Sequence, residues 1–141
     1  MIQRTLAIIK PDAVSRHLLG HVITKMELEG FEIVDMKMVH LTKEQANELY
    51  KVHKDKPFYD GQTDFMSSGP CVMVVLEAEN VIKRYRDLMG PTNYKKAKTN
   101  TIRYELATDI RHNIVHGSDS EESARFEICF FETLPDWADG T

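Results

Sequence analysis

The apolar and polar positions along the 141 residues divide the chain into short alternating elements. Residues 3–9 (Q-R-T-L-A-I-I) end in an apolar run just before Lys10-Pro11, which predicts a buried strand. Pro11 stops that strand because it has no backbone N–H for the ladder, and Asp12 can open a helical turn. Leu19, Val22, Ile23 and Met26 then share one helical face, and Gly30 is a good stop. Residues 31–41 return to a strand, in which Met36 and Met38 alternate with Asp35 and Lys37 as if half-buried. Thr42 and Gln45 make a capping box for a helix over about 43–53, with Ala46, Leu49, Tyr50 and His53 on one face. A short helix is expected around 60–67. Residues 71–77 are nearly all apolar, as in a central strand covered on both faces. Asn80 is placed to cap a helix whose Val81, Ile82, Tyr85, Leu88 and Met89 share a face, and Gly90-Pro91 ends it. Residues 91–112 are polar with little periodicity and read as a long loop of the kind that carries function. Ile114 and Val115 make a short strand, a helix follows Ser120 to about Phe131, and the tail beyond Pro135 reads as irregular.

This order predicts a single α+β domain over residues 1–141: one small sheet with helices packed on it. Pattern alone does not fix the strand order. The net charge of −4 argues against broad electrostatic binding to nucleic acid or membranes, while leaving room for a local basic pocket. Cys71 and Cys129 each sit in an apolar run and form no C-x-x-C pair, so both read as small buried hydrophobes. The N-terminus has no secretory pattern, and no apolar run approaches the roughly 20 residues of a membrane span. A reduced, cytoplasmic protein is the simplest expectation.

The chain has no G-x-x-x-x-G-K-[ST] loop and no two glycines in G-x-G spacing. A nucleotide would have to be held without a Gly-rich phosphate cradle. The segment N-I-V-H-G-S-D-S at 113–120 offers something else. His116 should sit at a strand end beside the helix start at Ser118-Asp119-Ser120, with Glu121 or Glu122 completing a capping box. Such a junction suits anions, and imidazole can attack phosphorus without a separate base. From this segment alone, a packed or capping histidine is the plainer reading. Lys10, Arg86 and Arg103 are candidate phosphate donors, and Lys10 stands out because it directly follows a buried run. His17, His21 and His53 read as surface residues, and no histidines have the spacing of a protein-built metal site.

Taken together, the chain resembles the nucleoside diphosphate kinase family, from R-T-L-A-I-I-K-P-D-A at 4–13 to F-E-I-C-F-F at 126–131. The run at 113–120 matches the family signature N-x-x-H-G-S-D-S, and H-x-x-K-P-F-Y at 53–59, F-M-S-S-G-P at 65–70 and R-D-L-M-G-P-T-N at 86–93 match in order. The resemblance implies a ferredoxin-like sandwich, a four-stranded antiparallel sheet covered by helices. It implies that His116 takes the γ-phosphate of a nucleoside triphosphate, mainly ATP, and passes it to a nucleoside diphosphate in ping-pong fashion. It carries phosphate and ribose contacts to Lys10, Arg86, Thr92, Arg103 and Asn113. It assigns base stacking to Phe58, with Ile110 on the other face, and support of Lys10 and the site to Tyr50 and Ser118. Glu127 would bond the second nitrogen of His116 and set its tautomer. Mg²⁺ would arrive on the nucleotide phosphates, with Asp119 at most a water-mediated contact. The family also implies a homo-oligomer built from dimers, a tetramer or a hexamer.

The chain departs from the family pattern in the long loop. Thr92-Asn93-Tyr94 stands where T-N-P is usual, T-N-T-I-R-Y-E at 99–105 replaces P-G-T-I-R-G-D, and Arg111-His112 replaces Gly-Arg. These changes bear on the loop's conformation and its subunit contacts. The same fold could serve as a binding or regulatory module, or as a phosphodonor to other proteins. The intact set of Lys10, Arg86, Arg103, Asn113, His116 and Glu127 argues for catalysis.

Overall fold

The computed structural model describes the chain except for residues 92, 109–111, 136 and 139–141, and the side chains of Tyr94, Trp137 and Ala138. Among the described residues, five strands form one sheet: β1 (Ile2–Ile9), β2 (Glu32–Val39), β3 (Cys71–Glu79), β4 (Val115–Gly117) and β5 (Trp137–Ala138). Their spatial order is β4-β1-β3-β2-β5. The first four strands pair antiparallel, and β5 adds a two-residue parallel pairing on β2. In the tail expected to be irregular, Trp137 and Ala138 therefore pair with the Met38–Val39 end of β2.

Alternate residues of β1 and β3 divide two cores. Leu6, Ile8, Met73 and Val75 face one side, where they meet α3 (Lys43–Leu49), α4 (Tyr59–Met66) and α7 (Glu121–Thr133). Ala7, Ile9, Val72 and Val74 face the other, under α1 (Pro11–Ser15), α2 (Leu19–Leu28), α5 (Val81–Met89) and α6 (Ile102–Leu106). Because β3 is covered on both faces, its sequence shows no alternation. The four antiparallel strands and their crossing helices are the ferredoxin-like arrangement expected.

Several local expectations are corrected. The long polar stretch is not all loop: it holds a turn of 3₁₀ helix at Tyr94–Lys96 and then α6. Asn80 does not cap α5 with its side chain. Its φ is +53° and its N–H goes to the Met1 carbonyl, while Gln3 Oε1 reaches across to accept the Ile82 N–H at 3.3 Å. The capping box of α7 joins Ser120 to Ser123, not to a glutamate. In β2 a bulge between Ile33 and Asp35 shifts the register near the sheet edge. Met36 is left 47% exposed, and Lys37 turns inward over the Phe131 ring. The Lys37 Nζ donates to the carbonyls of Phe131 and Leu134, so a cation satisfies the C-terminal end of α7. Cys71 is buried, but Cys129 is exposed on α7, and neither is in a disulfide. Among the described residues, no helix is long and apolar enough to cross a membrane.

Candidate active site

β1 and β4 bring the two ends of the chain's chemistry together. Ile8 pairs with His116, and Lys10 follows two residues later. His116 thus lies inside β4, not at its end as the sequence suggested. The alternation of β4 puts His116 on the α7 side and Gly117 on the α5 side.

On the α7 side, His116 Nε2 and Ser118 Oγ both lie 2.9 Å from Glu127 Oε1. A carboxylate only accepts, so Nε2 carries a proton and donates it. Ser118 Oγ also accepts the Leu6 N–H at 3.3 Å, so the residue that anchors Glu127 is itself fixed to β1. Nδ1 makes no hydrogen bond among the described residues, which leaves its lone pair available. The Tyr50 ring meets the His116 ring edge-on, with centroids 5.8 Å apart at 84°. Burial pushes the Tyr50 hydroxyl well above the usual phenol range, so it stays neutral.

A second cluster is cationic. Lys10, 5% exposed, donates from Nζ to Asn113 Oδ1 at 2.8 Å. Burial lowers its pKa to about 7, assisted by the charge of Arg103 and opposed by Asp12. Arg103 is also buried. It donates from Nη2 to the Val115 carbonyl and from Nη1 to the Gly90 carbonyl, each at 2.8 Å, and from Nε to the Asn113 carbonyl at 3.4 Å. A guanidinium has five N–H donors, so two remain for an anion. Burial lowers the Arg103 pKa, with the nearby charge of Arg86 adding to the effect and Tyr85 and Tyr50 opposing it. Arg86 donates to the Gly117 carbonyl at 3.2 Å from the exposed flank of α5. Hydrogen bonds from Ser123, together with Arg86, hold the exposed Asp119 carboxyl below the usual range.

The backbone between the clusters is strained. Ile114 has a φ of +78°, and the Val115 N–H bonds the Asn113 carbonyl across it at 2.9 Å. That is a γ-turn with positive φ, the rarer and more strained kind. A β-branched residue held there stores roughly 1–3 kcal/mol. Sequence reasoning missed this turn, and it missed Asp12 as a site residue. The buried Asp12 bonds the Ile114 N–H through Oδ2. The adjacency of Asp12 to Lys10-Pro11 was the signal available.

Gly117 is required by packing. A Cβ there would lie 2.7 Å from two ring carbons of Tyr85, which is fully buried. Gly117→Ala should therefore destabilise the fold by about 1–3 kcal/mol through overpacking. A denaturant midpoint equal to that of the unaltered protein would contradict this.

Of the residues expected at the site, His116, Glu127, Ser118 and Tyr50 form one cluster, and Lys10, Asn113 and Arg103 form the adjoining one. Phe58 is 48% exposed, with its ring 5.7 Å from that of His53, and so has a face available for stacking. Thr92 and Ile110 lie outside the described residues. No group of three or more metal-binding side chains is assembled among the described residues.

A family model described as nucleoside diphosphate kinase matches residues 3–134. The nucleoside diphosphate kinase of Desulfosudis oleivorans is 53% identical over 130 residues, covering 92% of this chain and 94% of that protein. That of Nitratidesulfovibrio vulgaris is 51% identical over 131 residues, covering 93% and 94%. The crystal structure of the Aquifex aeolicus nucleoside diphosphate kinase superposes with a TM-score of 0.91 at 46% identity, covering 93% of this chain and 95% of that one. A halophilic nucleoside diphosphate kinase from Halobacterium salinarum, solved in complex with CDP, gives a TM-score of 0.89 at 38% identity, covering 97% and 93%. With nearly full-length agreement in sequence and in fold, and the signature histidine seated between a carboxylate and a cationic cluster, the chain belongs to the nucleoside diphosphate kinase family.

Proposed function

We propose that this chain, as one catalytic domain, transfers the γ-phosphate of a nucleoside triphosphate, mainly ATP, to nucleoside diphosphates through a phosphohistidine at His116. The observation that carries this reading is the 2.9 Å bond from His116 Nε2 to Glu127 Oε1, which leaves Nδ1 to attack. In the first half-reaction Nδ1 forms a bond to the γ-phosphorus. The bond from that phosphorus to the oxygen bridging to the β-phosphate breaks, and the nucleoside diphosphate leaves with the electron pair. Nε2 keeps its proton, and the Glu127 carboxylate stabilises the positive charge that develops on the ring. The second half-reaction is the reverse, with another diphosphate as acceptor.

Lys10, Arg86 and Arg103 would stabilise the charge on the transferring phosphoryl oxygens, with Asn113 orienting Lys10. Phe58 would stack on the base, which suits an enzyme that accepts many bases, since each has a π-face. Thr92 and Ile110 are assigned to the nucleotide by the family motif alone. The donor set fits phosphate oxygens and not a bare ion, so a divalent cation, Mg²⁺ in our reading, would be held by the nucleotide's own phosphates. Asp119 is the carboxylate suited to meet it through water. When bound, the cation neutralises phosphate charge. A homo-oligomer built from dimers, tetrameric or hexameric, and a cytoplasmic setting belong to the same proposal.

The test is incubation with γ-labelled ATP and Mg²⁺. The chain should take an acid-labile label, as a phosphoramidate does, and release it on addition of a nucleoside diphosphate. A chain that stays unlabelled would refute the reading.

The lowered pKa of Lys10 adds a prediction. At about pH 8 the buried amine of the empty site is mostly neutral, and bound polyphosphate would raise its pKa again. Binding at that pH should therefore take up close to one proton, by calorimetry in buffers of differing ionisation enthalpy. Lys10→Met should abolish the uptake. Heats that do not depend on the buffer would contradict the assignment.

A further inference from the structure

Asp12 is the charged residue beside the site that the mechanism above leaves unused. It is 8% exposed and lies second in α1, directly after Lys10-Pro11. Its Oδ2 accepts the Ile114 N–H at 3.2 Å, while the Lys10 N–H donates to the Ile114 carbonyl at 2.8 Å. The segment 10–12 thus grips Ile114 by both of its backbone polar groups. Ile114 centres the positive-φ turn, and His116 follows two residues later. A strained turn persists only where its surroundings hold it, and this grip on Ile114 acts beside the Arg103 bonds to the Asn113 and Val115 carbonyls. The other Asp12 oxygen is buried with no hydrogen-bond partner among the described residues. Through space, the carboxylate supports the charge on Lys10 that burial and Arg103 oppose.

Building on the phosphotransferase reading, we propose that Asp12 is a positioning residue for the transfer: its carboxylate holds the Ile114 turn that aims His116, and it is the counter-charge of buried Lys10. It touches neither the nucleotide nor the reacting atoms and acts through these two residues. The two roles separate by substitution. Asn at this position keeps an acceptor for the Ile114 N–H and loses the charge, whereas Ala loses both.

The experiment measures single-turnover labelling of His116 by γ-labelled ATP well below saturation, where the profile reports Lys10 before nucleotide binds, from about pH 6 to about pH 9 in the unaltered chain, Asp12→Asn and Asp12→Ala, with folding checked by circular dichroism. The charged groups that bear on Lys10 are Asp12 on α1 and Arg103 on α6. Arg103 is common to all three proteins, so a difference in profile reports Asp12. Asp12→Asn should match the unaltered rate at low pH, with its high-pH limb moved down by about half to one pH unit because Lys10 loses its proton sooner. Asp12→Ala should show the same movement and, in addition, a rate about 10- to 100-fold lower at every pH. A folded Asp12→Ala protein with the unaltered rate and profile overturns the inference, as does an unmoved limb in Asp12→Asn. If Asp12→Ala does not fold, the limb of Asp12→Asn decides alone. Failure of the unaltered chain to label would instead overturn the phosphotransferase reading, and it is recognised because all three proteins would then be silent.

Discussion

His116→Ala should take no label from γ-labelled ATP, and its nucleoside diphosphate kinase turnover should fall by a factor on the order of 10⁴ or more. The effect is expected to be this large because no neighbouring group can replace the nucleophile. Burial keeps the Tyr50 hydroxyl protonated, and Ser118 is occupied between Leu6 and Glu127. The loss should be chemical and not structural. The substitution removes one hydrogen bond to Glu127, worth about 1 kcal/mol, and Ser118 still satisfies that carboxylate. Turnover within tenfold of the unaltered protein, at unchanged stability, would remove His116 from the mechanism.

Arg103→Ala should have the second largest effect, and on two readouts at once. Three backbone carbonyls, at Gly90, Asn113 and Val115, lose their charged donor. The buried Val115 carbonyl and the half-buried Gly90 carbonyl lose their donor, while that of Asn113 keeps the Val115 N–H; at about 1–3 kcal/mol for an acceptor left without a partner, a total loss of roughly 2–4 kcal/mol is expected from a denaturant titration. Catalysis should fall by about 10²–10³-fold, the usual consequence of removing one donor from a developing oxyanion. Arg103→Lys separates the two effects. A lysine keeps a charge for phosphate but cannot hold three diverging carbonyls. It should recover part of the rate while remaining destabilised. A variant with full stability and full rate would refute the bracing role.

The fold was legible where one physical cause dominated the local pattern. The unbroken apolar run of β3 follows from burial on both faces, and the Thr42–Gln45 capping box was read directly from residue type and spacing. It was illegible where a distant partner set the outcome. Gln3, not Asn80, serves the start of α5, and the Lys37 charge lies inward because the end of α7 is there to receive it. α6 is five residues long, too short for a helical period to emerge from the polar stretch around it. The candidate site divides in the same way. Lys10 announced itself by following a buried run, and His116 by its signature. The contact between His116 and Glu127 was expected from the resemblance alone, since the local pattern does not show that α7 turns Glu127 back onto β4. The positive φ of Ile114 runs against the preference of a β-branched residue, so no propensity argument could have found it.

The pairing of β1 with β4 also governs when the site can exist. Lys10 is made near the start of synthesis, and its partner Asn113 emerges 103 residues later. β4 is three residues long, and β1 is the strand to which it pairs antiparallel. A ribosome-bound chain that stops just short of residue 113 would have β1, β3 and all three cations, Lys10, Arg86 and Arg103, but no nucleophile, and no strand to set Ile114 against Lys10. Contacts so far apart in sequence form late and slowly. Reactivity toward nucleotides would then be the last property the growing chain acquires, well after its hydrophobic layers can begin to close.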